Sequence, residues 1–149
     1  MHVERGIERK LGLRVLIADD DSVSRLILKR AIEKFGHECI VAEDGLVAWE
    51  RYQNTSRVDL IISDYMMPGI DGLELCRRVR QKERSRYTFF IILTSLADKT
   101  HQLRGMLAGA DNYLTKPPDP ELLQVYLIAV SRMNSLVGGS TDGKQGQGS

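Results

Sequence analysis

Five short apolar runs restrict the fold of this chain more than any other feature: RVLIA (14–18), ECIVA (38–42), DLIIS (59–63), FFIIL (89–93) and NYLT (112–115). They are rich in β-branched and aromatic residues and too short for helices, so they read as strands. Helical periodicity fills the gaps over 22–35, 46–54, 72–82, 98–109 and 119–136. Gly36 and Gly109 follow the first and fourth of these, where a left-handed residue closes a helix. Strict alternation of strand and helix specifies an α/β fold, a five-stranded parallel sheet with helices on both faces. The second and fifth runs are less apolar than the others, which assigns them to the sheet edges.

Composition removes several classes of function. A net charge of +1 over 149 residues gives no field for a nucleic-acid backbone or an anionic membrane surface. The longest uninterrupted apolar stretch, Val125 to Val130, is far short of the roughly 20 residues of a membrane span. Cys39 and Cys76 have neither metal nor redox spacing and read as reduced thiols. The N-terminus has no apolar run behind its charges and is not a signal peptide. The expected location is cytoplasmic. Three segments follow: a polar leader (1–12), a folded domain (13–137) and a flexible polar tail or linker (138–149).

In a parallel sheet, ligands bind beyond the carboxyl ends of the strands. The first strand ends in Asp19, Asp20 and Asp21, the third in Asp64, the fourth in Thr94 and the fifth in Lys116. Singly, each has an ordinary account. Carboxylates cap helices, Asp64 suits a turn, Thr94 is a strand former and Lys116 precedes two prolines. Together, at one end of one sheet, they make a site. Converging carboxylates repel one another, and a divalent cation with oxygen ligands, Mg²⁺ above all, removes the conflict. Mg²⁺ favours a phosphoryl group as further partner, which Thr94 and Lys116 suit by hydroxyl and charge.

The segments VLIADDDSVSR, DLIISDYMMPGIDGLEL, IILTSLAD and AGADNYLTKP resemble the receiver domain of bacterial two-component response regulators. The resemblance extends from Arg14 to Leu136 and implies a flavodoxin-like, doubly wound sheet of order 2-1-3-4-5. It implies Asp64 as phosphoacceptor, with Mg²⁺ held by Asp19, Asp20, Asp64 and the backbone carbonyl of Met66. Asp21 has a lesser role. By the same resemblance Thr94 and Lys116 stabilise the phosphoryl group, Thr94 and Tyr113 form the conformational switch, and a cis peptide at Pro117 aims the lysine. The implied partners are a sensor histidine kinase or phosphotransfer protein as donor, and an output domain or partner protein. No nucleic-acid contact by this domain is expected.

Met66 and Leu96 occupy the positions that tune dephosphorylation in this family, and neither orients a water, so a long phosphoryl lifetime is expected. In the last helix, Leu122, Val125, Tyr126, Ala129, Val130 and Met133 form a stripe expected to face the sheet. Leu123, Leu127 and Leu136 fall outside it and suggest a surface for homodimerisation or partner docking. His37 and His101 read as solvated, and Trp49 as an anchor of the second helix. Rival readings are a pseudo-receiver that only binds partners, an Mg²⁺-dependent aspartyl phosphatase and a nucleotide-binding module. The phosphatase needs a second Asp where Met66 stands, and the nucleotide module a glycine-rich turn where the chain reads DDDSVS.

Overall fold

The computed structural model describes residues 12–82, 84–95 and 98–148, with side chains described as far as Leu136. Five strands, β1 (Arg14–Ala18), β2 (Glu38–Ala42), β3 (Leu60–Asp64), β4 (Phe89–Thr94) and β5 (Asn112–Thr115), alternate with five helices. These are α1 (Ser22–Lys34), α2 (Gly45–Asn54), α3 (Gly72–Gln81), α4 (Lys99–Ala108) and α5 (Pro120–Gly148). All pairings are parallel and the strand order is β2-β1-β3-β4-β5, so the two diluted strands do form the edges.

Period-two alternation along the strands divides the core. Leu16, Ile61, Phe90 and Ile92 face one layer with Ala48, Tyr52, Leu75, Cys76 and Val79 of α2 and α3. Val15, Ile17, Leu60, Ile62, Ile91 and Leu93 face the other, with Leu28 and Ile32 of α1. Burial pushes the Cys39 thiol up to about 12 and the Cys76 thiol up to about 11, so neither is a nucleophile at neutral pH.

Aspartates cap four of the helices. Asp21, Asp44, Asp71 and Asp98 accept hydrogen bonds from the amides of Ser24, Val47, Glu74 and His101. Such capping satisfies amides that a helix leaves unpaired. Gly36 and Gly109 both have positive φ, +92° and +108°, closing α1 and α4.

The stripe expected on α5 is corrected. Leu123 and Leu127, assigned to a surface, are 1% exposed and sit in the core with Val130, whereas Leu122, Val125 and Met133 are 41–57% exposed. Apolar residues occupy so much of this helix that several rotations give a continuous stripe, and packing selects the one through 123, 127 and 130. Leu136 is exposed, as expected of it. The backbone of α5 is helical through Gly148, across the segment expected as linker, which has no apolar side chain to pack. Residues 1–11 of the expected leader and Leu96 lie outside the described residues. Among the described residues, no helix is long and apolar enough to cross a membrane.

Candidate functional site

The carboxyl ends of β1 and β3 are neighbours in the register, with Ala18 opposite Ser63. The residues that follow therefore meet. Ligand oxygens of Asp19, Asp20 and Asp64 all lie within 4.8 Å of one another. Asp19 is fully buried, Asp64 is 8% exposed and Asp20 faces solvent. Asp21 turns away to cap α1, and its hydrogen bonds with Ser24 hold its pKa below the usual value.

Lys116 reaches this cluster from beyond β5. Its Nζ donates to Asp64 Oδ2 at 2.9 Å and lies 3.1 Å from Asp19 Oδ2. The Lys116–Pro117 peptide is cis. Burial opposes the ammonium charge, but the Asp64 and Asp19 carboxylates outweigh it and raise the lysine pKa. Burial raises the Asp64 pKa, with Asp19 and Asp20 adding to the effect and Lys116 opposing it. Two uncompensated negative charges thus remain on three carboxylates.

One atom tests whether a cation fits. Asp19 Oδ1 accepts from the Asp21 amide at 3.0 Å, but buried Oδ2 has no hydrogen-bond partner beyond its ion-pair contact with Lys116. A buried carboxylate oxygen whose one contact is an ammonium shared with Asp64, beside two further carboxylates, suits a hard divalent cation. Oxygens sharing one octahedral Mg²⁺ are about 3–4 Å apart, given bonds of about 2.0–2.1 Å, which is close to the spacing here. The acidic cluster can hold a metal.

Thr94 is buried at the end of β4, the strand that pairs with the β5 strand of Tyr113. Burial is the main cause of a raised Tyr113 pKa; Tyr65 and Asp98 add to it and the Thr94 hydroxyl opposes it. The half-buried Tyr113 ring packs over Gly105 of α4, where an added Cβ would be 3.3 Å from Cε2. Tyr113, expected as a switch, thus sits on the strand next to that of Thr94. Met66 is 61% exposed and Ser95 is exposed.

Three features escaped sequence reasoning. Gly72 brings α3 against the strand end: its amide donates to the Tyr65 carbonyl, and a Cβ there would be 2.4 Å from the Asp64 carbonyl oxygen. The Asp-Gly pair at 71–72 was the available signal. His101 is half-buried, edge-on to Tyr65 at 5.2 Å and 2.7 Å from Asp98 Oδ1. His37, read as solvated, is half-buried too: its Nδ1 accepts from the Leu13 amide, and burial lowers its pKa. No local pattern announces either contact.

Comparison with known proteins decides the family. The model described as "Response regulator receiver domain" matches residues 15–128. The chain belongs to that family. It is 32% identical over 123 residues to the chemotaxis protein CheY1 of Helicobacter pylori, covering 82% of this chain and 99% of that protein. It is 36% identical over 122 residues to the phosphate regulon transcriptional regulatory protein PhoB of Pseudomonas aeruginosa, covering 82% of this chain but 53% of the relative. The receiver domain of the Francisella response regulator 1452 superposes with a TM-score of 0.74 at 33% identity, covering 82% of this chain and 98% of that one. The chemotaxis response regulator CheY4 of Vibrio cholerae gives 0.74 at 32%, covering 80% and 98%. The flavodoxin-like receiver fold matches these neighbours. This receiver domain is a phosphoacceptor signalling unit of two-component systems and not an enzyme of substrate turnover.

Proposed function

We propose that Asp64 accepts a phosphoryl group from the phosphohistidine of a sensor kinase or phosphotransfer protein. The N–P bond of the donor breaks as an Asp64 oxygen bonds to phosphorus, and the imidazole leaves. The observation that carries this reading is the Lys116 ammonium 2.9 Å from Asp64, beside two further carboxylates whose oxygens lie within 4.8 Å. Asp19, Asp20, Asp64 and the Met66 carbonyl would hold Mg²⁺, which supplies charge neutralisation at the transferring group. Phosphoryl transfer asks for positioning and charge stabilisation more than for covalent chemistry. Burial on β3 fixes Asp64; Lys116 pairs with the phosphoryl oxygens; the Thr94 hydroxyl donates to them.

In that step the Thr94 hydroxyl turns to the phosphoryl group, so occupancy of Asp64 changes the surroundings of the Tyr113 ring over α4. The switch is read out by an output domain or partner protein, or by a second copy of the chain. Exposed Leu122, Val125 and Leu136 on α5 offer that surface in place of buried Leu123 and Leu127. The chain thereby catalyses its own phosphorylation and a slow dephosphorylation. Met66 cannot orient a water, so we expect a phosphoryl group that persists in Mg²⁺ buffer; decay within seconds contradicts this.

Incubation with a small phosphodonor and Mg²⁺, followed by intact mass, tests the assignment. One phosphoryl addition is expected in the parent chain and none in Asp64→Asn. Addition that survives in Asp64→Asn overturns it, and a pseudo-receiver shows none in either.

A further inference from the structure

Asp20 is the least anchored member of the acidic cluster. The amide of Asp19 donates to the Ala42 carbonyl, its Oδ1 accepts from the Asp21 amide, and its Oδ2 faces Lys116. Asp64 is held by β3 and by its bond from Lys116. Asp20 faces solvent, and among the described residues its carboxylate has no hydrogen bond and no ion pair. Asp64 only repels it. Yet its oxygen lies within 4.8 Å of those of Asp19 and Asp64. The backbone holds it there, through the peptide that joins Asp19 to Asp20.

One side chain grips that peptide. The Asp19 amide makes the last rung between β1 and β2, and β2 ends at Ala42, so the Asp19 carbonyl is left without a strand amide. Arg25 Nη1 donates to this carbonyl at 2.7 Å. The Arg25 amide donates in turn to the Asp21 carbonyl, so backbone and side chain of one residue tie α1 to both ends of the acidic turn. Arg25 is half-buried and, despite the aspartates at 19–21, forms no ion pair among the described residues. A guanidinium that bonds a main-chain carbonyl rather than these carboxylates stiffens the turn without neutralising the cluster.

We propose that Arg25 is a positioning residue of the cation site: by tying the Asp19–Asp20 peptide to α1, it keeps the solvent-facing Asp20 carboxylate turned toward Asp19 and Asp64. This role rests on the reading of the cluster as a Mg²⁺ site. Its sign is opposite to that of simple electrostatics. A guanidinium repels a cation, so loss of its charge alone tightens Mg²⁺ binding. Loss of the anchor weakens binding, because Asp20 must then be ordered as the cation arrives.

NMR titration with magnesium chloride, at ionic strength held constant with sodium chloride, tests the proposal on the ¹³C,¹⁵N-labelled parent, Arg25→Met, Asp20→Asn and the double variant. Before any cation is added, the Asp19 carbonyl carbon is expected to move upfield in Arg25→Met, the mark of a lost hydrogen bond. Arg25→Met is expected to weaken Mg²⁺ binding about fivefold, part of the loss of one charge-assisted bond. Asp20→Asn weakens it too, and adding Arg25→Met to that background changes it by less than about twofold, since the carboxylate that Arg25 positions is gone. Should Arg25→Met fail to fold, Arg25→Gln, a helix former too short to reach the carbonyl, carries the same comparison. A parent chain that takes up no Mg²⁺ refutes the metal reading itself. Uptake that the Arg25 variant leaves unchanged or tightens overturns the role of Arg25 alone. A weakening equally large in the Asp20→Asn background, or an unmoved Asp19 carbonyl, overturns it as well.

Discussion

Lys116→Met keeps most of the lysine stem and removes its charge, so it isolates the electrostatics of the acidic cluster. An ion pair at 2.9 Å has a gross Coulomb energy between about 1.4 kcal/mol at a water-like dielectric and about 6 kcal/mol at an effective value near 20. Removing one partner of a fully buried pair costs about 3–5 kcal/mol. The Lys116 side chain is 22% exposed, which lowers the expected loss to about 2 kcal/mol at pH 7. The sign with pH follows from Asp64. Its folded pKa is raised above 3.8, so the stability it contributes is complete below that value and is lost as pH rises through the folded pKa. Without the lysine that pKa rises further, so the penalty of the variant is largest at neutral pH and shrinks on acidification. Lys116 has a raised pKa too, so its charge persists throughout this window and the pH dependence belongs to the carboxylates. Urea unfolding followed by circular dichroism, on both proteins at pH 7 and near pH 4, reads the difference directly. A midpoint loss of about 1 M is expected at pH 7 and much less near pH 4. Mg²⁺ at ten times its dissociation constant adds about 1.4 kcal/mol by linkage, and restores a larger fraction of the midpoint in the variant, where no ammonium competes with it. Equal losses at both pH values would mean that the lysine acts through packing and would refute the charge argument.

Asp19→Asn keeps the acceptor for the Asp21 amide while removing the charge of the buried Oδ2; calorimetry is expected to show Mg²⁺ binding weakened about tenfold or more, and unchanged binding would remove Asp19 from the ligand set. Gly72→Ala drives a methyl into the Asp64 carbonyl, a rigid backbone neighbour, and is expected to cost about 1–3 kcal/mol in thermal unfolding and to slow phosphoryl uptake. An unchanged melting profile would contradict that contact. Leu123→Ala is expected to cost about 2–5 kcal/mol and Leu136→Ala less than about 0.5 kcal/mol, so the reverse ranking in urea unfolding would restore the discarded stripe.

The sheet was legible in the sequence because parallel strands buried on both faces leave continuous apolar runs, and the edge strands lose that continuity. Ile61 and Ile62 face opposite layers and both are buried, whereas Cys39, Ile40 and Val41 on the edge are only half-buried. The site was legible for a related reason: each polar residue comes directly after a run whose position the sheet dictates. Asp19 follows Ala18, which pairs with Ser63, and Asp64 follows Ser63. What could not be read were contacts that depend on rotation or on distant segments. Any of several phases gives α5 an apolar stripe, and no residue within the helix breaks the tie. Arg80 reaches Thr88, Gly109 and Asp111 across two connections, a network that one-dimensional spacing does not encode.

Asp21 shows where sequence patterning stops and local geometry begins to decide. Three consecutive aspartates have the same chemistry, yet the backbone gives each a different task. Asp19 remains in the extended frame of β1 and is buried; Asp20 faces solvent at the rim; Asp21, with ψ of 117°, caps the first turn of α1. The cap accepts from an amide at the positive end of a helix, which stabilises Asp21 without any metal. Asp19 has no such outlet for Oδ2, since burial removes water and its one nearby cation is shared with Asp64. The asymmetry leaves the cluster able to take a further cation, because the one carboxylate that a helix cap satisfies is the one that turns away. An acidic run at a strand exit is therefore informative through the members that the helix cap cannot satisfy.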